Sequence, residues 1–341
     1  MADFGGWEMP IEYSGAVAEH SAVRSEAGMF DVSHMGYVEV RGPGATDWLN
    51  GILVNDLQRV GEGQAQYSLL CDARGGVIDD LIVYRVAPEA LFIIPNAANV
   101  GAVVETLQNA AAETSVQVVD ASDAYGLIAV QGPRSAEVLD ALGLPAGHAY
   151  MSFARSSWQG APVVVARTGY TGELGFEILI PADRAPELWD ALAAAGAIPC
   201  GLGARDVLRT EMGYPLHGHE LSADITPVQA AVSWAVGWDK ATFAGKEALV
   251  AEREAGPHRR LRGLLAEGRT IPRAGMAVVD AAGTQIGEVT SGTFSPSLGK
   301  GIGLALLDPG VAVDSEVIVD IRGRQAPFTV VKPPFVTPHV R

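Results

Sequence analysis

Glycine and proline punctuate this chain so densely that its apolar residues fall in short runs. Forty glycines and 20 prolines are spread over 341 residues, leaving apolar stretches of strand length and a few longer helical ones. The runs Tyr37–Arg41, Tyr67–Cys71, Val77–Val86, Leu91–Ile94, Val116–Val119, Gly126–Val130, Val163–Ala166 and Gly175–Ile180 are rich in Val, Ile, Leu, Tyr or Phe. With Gly, Pro or Asp nearby, they are predicted strands. Asn99–Ala111 carries Val103, Leu107 and Ala111 at i, i+4 and i+8, a helical stripe. Arg134–Leu142, Ala182–Ala195 and Ala204–Met212 are the other helical stretches. Helices do not alternate strictly with strands, so the expected class is α+β rather than a doubly wound parallel sheet.

The texture changes near Glu252–Arg262. The charged segment Glu252–Arg260 reads as a linker or domain edge. Beyond it, Leu261–Leu265, Met276–Val279, Gln285–Val289, Gly303–Leu306, Glu316–Ile321 and Phe328–Val331 are short β-like runs with turn signals between them and no helix. That spacing predicts a small antiparallel barrel or sandwich. The expected division is residues 1–255 and 256–341.

Charge narrows the function classes. The formal net charge is −16, which argues against general binding to nucleic acid or anionic lipid, since both need a basic field. No apolar run has the length to cross a bilayer, and the N-terminus lacks the basic start and apolar stretch of a secretory signal. Cys71 and Cys200 lie far apart without metal-like spacing, which fits a reducing compartment. The expectation is a cytoplasmic protein without a metal.

Three segments can carry chemistry. In Gly75–Tyr84, two adjacent carboxylates interrupt an apolar strand, so Asp79 and Asp80 must point to opposite faces. Ile78, Asp80, Ile82 and Tyr84 share one face; Val77, Asp79, Leu81 and Val83 share the other. A carboxylate among apolar neighbours needs a hydrogen-bonded partner, or its pKa rises, and such an acid suits charge stabilisation or proton handling. A solvated edge-strand pair is the alternative. In Arg167–Ile178, three glycines allow a tight turn and close approach to a ligand, Tyr170 offers a ring, and Glu177 can pair with a heterocycle's amino group and ring N–H. The alternative there is a plain glycine-rich hairpin with an exposed acid. In Gly201–Glu211, Arg205 and Arg209 lie near a helix start, where an arginine is unfavourable unless paired. For Arg209 a structural ion pair with a glutamate is the preferred reading. His217-Gly218-His219-Glu220 has no further clustered ligand and reads as a loop.

Phe4–Pro10, Phe30–Met35, Gly75–Tyr84, Gly169–Ile178, Gly201–Glu211 and Thr290–Pro296 together resemble the glycine cleavage system T-protein family of aminomethyltransferases, in the family's order and over nearly the whole chain. The resemblance implies three subdomains arranged as a cloverleaf, the last a barrel. It implies transfer of a carbon from an aminomethyl group on the lipoyl arm of the H-protein to tetrahydrofolate. The family's catalytic aspartate falls on Asp80, its pteridine-binding glutamate on Glu177 and its folate-contacting arginine on Arg205. Tyr67, Ile94, Asn96, Tyr170 and Trp234 match residues around the folate, and Arg273 an arginine near the lipoyl or folate tail. Relatives usually carry further residues before the Phe-Gly-Gly-Trp segment, whereas this chain starts almost on it.

Two competing readings share the fold. One is a tetrahydrofolate-dependent demethylase of a methylated amine, ether or sulfonium compound. The other is a folate-binding helper for iron–sulfur cluster assembly, which the isolated cysteines and the intact Gly-Gly-Val-Ile-Asp-Asp segment disfavour. The Phe4–Pro10 and Phe30–Met35 segments favour the T-protein over the demethylase.

Overall fold

The structure, a computed structural model, describes residues 1–321 and 323–340. The chain opens on a hairpin of β1 (Ala2–Phe4) and β2 (Trp7–Met9). Gly5 and Gly6 both take positive φ, 60° and 89°, as a two-residue turn matched to the strand twist requires. Next come α1 (Ala16–Ser25), β3 (Gly28–Asp31), β4 (Val38–Arg41), α2 (Ala45–Asn50), β5 (Gln64–Cys71), β6 (Val77–Ala87) and β7 (Ala90–Ile94). The helical stripe at 99–111 forms α3 (Val100–Ala111), with Val103, Leu107 and Ala111 buried. After it come β8 (Gln117–Asp120), β9 (Tyr125–Gln131), α4 (Ser135–Ala141), β10 (Phe153–Trp158), β11 (Ala161–Ala166) and β12 (Gly175–Pro181). Then α5 (Ala185–Ala194), β13 (Ile198–Pro199), α6 (Leu202–Met212) and α7 (Lys246–Ala255) lead to the C-terminal strands. These are β14 (Arg260–Ala266), β15 (Ala277–Val279), β16 (Gln285–Ser295), β17 (Lys300–Leu307), β18 (Glu316–Ile321) and β19 (Arg324–Val331).

The strands form three main β systems. A five-stranded sheet has the order β5-β6-β7-β4-β8, and a six-stranded sheet the order β10-β11-β12-β9-β3-β13. The third is a closed barrel, β14-β17-β16-β15-β18-β19. Among these, only β13 with β3 pairs in parallel. Because β3 joins the six-stranded sheet before the chain builds the other, and β9 then returns to it, the first two units interleave. The fold is α+β with a C-terminal antiparallel barrel.

The two open sheets share a buried cluster that includes Phe30, Tyr84, Phe92, Leu127, Phe153 and Leu179. Full burial of one such large side chain stabilises by about 1.5–3 kcal/mol. The barrel has its own core, including Leu264, Val278, Leu307, Val319 and Phe328. Helix α6 ties the units together. Glu211 receives His20 Nε2 at 2.9 Å and Arg24 Nη2 at 2.7 Å from α1, and Ser295 Oγ at 2.5 Å from β16. Burial alone would raise the Glu211 carboxyl, but these donors overcome it and hold the pKa at about 2.

One expectation needs correction. The charged segment Glu252–Arg260 is not simply a linker, because α7 continues through Ala255. Glu252 accepts Thr226 Oγ1 at 2.5 Å and Gln229 Nε2 at 2.7 Å, and the Arg253 guanidinium lies 4.5 Å from the Trp238 ring centre. Glu252, Arg253 and Arg259 thus have tertiary partners, and only residues 256–259 separate α7 from β14.

Candidate active site

The hairpin β5–β6 aims the paired acids. Its turn is pinned by Asp72 Oδ1, which accepts the N–H groups of Arg74 at 2.8 Å and Gly76 at 3.0 Å. A Cβ on Gly76 would sit 1.9 Å from the Ala223 carbonyl oxygen, so no side chain fits there. The strand therefore starts at a fixed place, and alternation does the rest. Asp79, fully buried, and Asp80 project to opposite faces, as the period of two requires.

Asp80 is held on both oxygens. Tyr67 O–H donates to Oδ2 at 3.1 Å, and Asn96 Nδ2 donates to Oδ1 at 2.9 Å. Burial raises the Asp80 pKa, opposed by the Tyr67 hydroxyl, the nearby His217 and the Asn96 amide. Tyr67 stacks on Trp234, with ring centres 5.5 Å apart and planes 27° apart, and Trp234 is 68% exposed. An exposed indole beside a half-buried acid is an open platform for a flat ligand.

Glu177 lies on β12, facing the space between the two open sheets. Its Oε2 accepts Thr168 Oγ1 at 2.5 Å, and Tyr84 O–H donates to that threonine oxygen at 3.3 Å. Its Oε1 has no hydrogen-bond partner among the described residues and is not sealed from solvent. Burial raises its pKa, against the Thr168 bond and the charge of Arg205. Ile94, at the end of β7, lines a cavity with Glu177, Tyr84 and Phe92. The Arg205 guanidinium lies 4.8 Å from the Tyr170 ring centre and forms no ion pair among the described residues. Tyr170 donates to the Pro215 carbonyl at 2.5 Å, stacks on Tyr214, and lies within electrostatic reach of Tyr67 and Asp80.

The glycine-rich turn works differently from its sequence reading. A Cβ on Gly169 or Gly175 would meet the Gln131 side chain at 2.0 and 2.4 Å, and one on Gly172 would meet Met212 Sδ at 2.0 Å. These glycines make room for the protein's own side chains. Gln131 then stitches the turn, donating to the Thr168 and Phe176 carbonyls and accepting from Thr171.

The structure thus brings Tyr67, Asp80, Asn96 and Trp234 into one bonded and stacked group, and Tyr170, Arg205, Glu177 and Ile94 into its surroundings. Arg273 stands apart: it is exposed, its Nη1 donates to the Gly292 carbonyl at 3.2 Å, and no hydrogen bond or ring contact joins it to the others. Arg209 is the structural arginine expected, 3.0 Å from Glu220 Oε2. His217 Nε2 donates to the Val77 carbonyl and His219 Nδ1 to that of Thr290, so the histidines brace loops. Among the described residues no group of three or more metal-ligating side chains forms, and no helix is long and apolar enough to cross a membrane. Sequence reasoning missed Thr168, Asn99 and His34. His34 is buried near Arg205; burial first, and then that charge, lowers its pKa to about 4.

Comparison with known proteins gives one answer. Residues 1–240 match the family model described as the GCVT N-terminal domain, and residues 259–337 the glycine cleavage T-protein C-terminal barrel domain. An aminomethyltransferase of Frankia alni is 58% identical over 98% of this chain and 93% of its own. One from Mycobacterium avium is 55% identical over 100% of this chain and 94% of its own. The crystal structure of the glycine cleavage system aminomethyltransferase T from Bartonella henselae superposes with a TM-score of 0.94 at 36% identity, covering 99% of this chain and 94% of that one. Fold and relatives define a transferase, and within that class an aminomethyltransferase. The chain belongs to the glycine cleavage T-protein family.

Proposed function

We propose that this chain takes the carbon of an aminomethyl group borne on the lipoyl arm of an H-protein and joins it to tetrahydrofolate. The C–S bond to the arm and the C–N bond to the amine break, and bonds from carbon to the folate N5 and N10 form. The products are 5,10-methylenetetrahydrofolate, ammonia and the dihydrolipoyl arm, with no change of oxidation state overall. The observation that carries this reading is the Asp80 carboxylate, held by Tyr67 and Asn96 beside the exposed Trp234 ring.

In this reading Asp80 is the catalytic residue. Its negative charge, in a setting that burial makes poorly polarisable, stabilises the cationic iminium that forms as ammonia leaves, and it orients N5 for attack. Tyr67, Trp234 and Tyr170 enclose the pterin with Ile94, and Asn96 hydrogen-bonds it. The free Oε1 of Glu177 pairs with the pterin's amino group and ring N–H. Arg205, which forms no ion pair among the described residues, meets negative charge on the folate, and Arg273 serves the folate or lipoyl tail from the barrel side. The folate is a co-substrate, and no metal is required. We take residues 1–255 as the folate-binding core and 256–341 as the barrel domain, which is supported by the first barrel strand starting at Arg260. The two free cysteines suit the cytoplasm.

Titration calorimetry tests the folate reading. Wild type binds tetrahydrofolate, and Glu177→Ala weakens binding about 10–100-fold, the loss of a charge-assisted pair, with little change in melting temperature. Equal affinity in the two proteins contradicts the role given to Glu177.

A further inference from the structure

Asp79 and Asp80 face opposite ways, yet one side chain touches both. Asn96 Nδ2 lies 2.9 Å from Asp79 Oδ1, from Asp80 Oδ1 and from the Asp80 carbonyl oxygen. An amide NH2 has two hydrogens, so three acceptors share them. The same acceptors decide which way round the amide sits, because its oxygen in that place would face only lone pairs. The Asn96 backbone N–H adds a 2.9 Å bond to Asp79 Oδ2, and Asn99 Nδ2 donates to Asp79 Oδ1 at 2.6 Å. Among the described residues every hydrogen bond of the Asp79 side chain therefore goes to Asn96 or Asn99. Asp79 itself is 0% exposed. Asn96 Oδ1, by contrast, has no hydrogen-bond partner among the described residues, and Asn96 is only half-buried.

We propose that Asp79 is a positioning residue for the transfer reaction: it clamps Asn96 against Asp80 and leaves Asn96 Oδ1 as the acceptor offered to the reduced pterin. The inference rests on the folate reading above and adds a residue that never touches the folate. A carboxylate is required at this place because it accepts three N–H bonds at once. An amide has one acceptor oxygen and would set its own NH2 against the donors of Asn96 or Asn99. A protonated Asp79 would likewise point its O–H at donors only. Burial first, then the neighbouring Asp80 charge, push Asp79 up to about 7 against the Asn99 and Asn96 bonds. The clamp is therefore complete above that pH and loosens below it. Among the described residues the other titratable group within electrostatic reach of Asp79 is Tyr67 on β5; β7 carries no charge, and α3 only the exposed Glu105.

The test is a double-mutant cycle on the full chain, using Asp79→Asn, Asn96→Ala and both together, with tetrahydrofolate affinity and melting temperature as readouts. Asp79→Asn is expected to weaken tetrahydrofolate binding about tenfold. In the Asn96→Ala background it is expected to add nothing beyond about twofold, because the clamp then has nothing to hold. Additive losses, or unchanged affinity in Asp79→Asn, overturn the clamp while wild-type binding and the Glu177→Ala loss stand. No binding by wild type overturns the folate reading and the clamp with it. Should Asp79→Asn not fold, Asn99→Ala takes its place, since among the described residues the Asn99 side chain bonds Asp79 alone. Losing that donor raises the proton affinity of Asp79. Relative to wild type, Asn99→Ala should then match tetrahydrofolate affinity at about pH 9 and fall severalfold at about pH 7. The same ratio at both values overturns the proposal.

Discussion

Asp80→Asn is expected to fold and to bind tetrahydrofolate within a few-fold of wild type while turnover with aminomethylated H-protein falls about 10²–10⁴-fold. The amide can keep the local bonds. Its oxygen can accept from Asn96 Nδ2, and its NH2 can donate to the Tyr67 hydroxyl oxygen, so both present partners remain satisfied. What it cannot supply is the negative charge. In water that charge would be worth little next to a forming iminium. At a site where burial already raises the carboxyl pKa it is worth several kcal/mol, because little solvent remains to screen it. Steady-state turnover and calorimetry on the same preparation separate the two effects. A variant with near wild-type turnover would remove Asp80 from the chemistry; one that no longer binds folate would give it a binding role instead.

The largest loss of stability is expected at Arg209. This side chain is 2% exposed and spans from α6 to the barrel. Its Nε donates to Asp206 Oδ1 at 2.8 Å, Nη1 to Glu220 Oε2 at 3.0 Å, and Nη2 to Ser291 Oγ at 2.9 Å. Ser291 in turn donates to Glu220 Oε1 at 2.6 Å, and Glu220 is 0% exposed. Arg209→Met leaves that carboxylate buried without its countercharge, which costs about 3–5 kcal/mol. A urea midpoint measured by tryptophan fluorescence should fall accordingly. Adding Glu220→Leu should recover part of the loss, because the stranded charge goes too. A single variant as stable as wild type would mean that the pair contributes nothing to holding the barrel on the core.

Local periodicity made much of this fold readable. The stripe of Val103, Leu107 and Ala111 became α3, and the barrel strands fell where short β-like runs alternated with turns. Alternation alone placed Asp79 and Asp80 on opposite faces and required a hydrogen-bonded partner for a buried acid. Naming that partner was beyond reach. Asn96 and Asn99 lie 17 and 20 residues from Asp79, and only the β6–β7 pairing brings them back to it. Helix α7 was obscured for the same reason. Glu252 is hydrogen-bonded by Thr226 and Gln229 and Arg253 lies over Trp238, none of which the charged segment itself contains. In the glycine-rich turn the residue type was informative and its cause was not. Gly169, Gly172 and Gly175 permit close approach, but what approaches is Gln131 and Met212. The folate roles given to Glu177 and Arg205 came from family resemblance rather than from spacing.

Ammonia release from aminomethylated H-protein, followed in a single turnover with and without tetrahydrofolate, tests the proposed transfer most directly. The account predicts rapid release that depends on tetrahydrofolate, with one methylenetetrahydrofolate formed per ammonia. Release at the same rate without the folate, or folate consumed with no ammonia appearing, would contradict it.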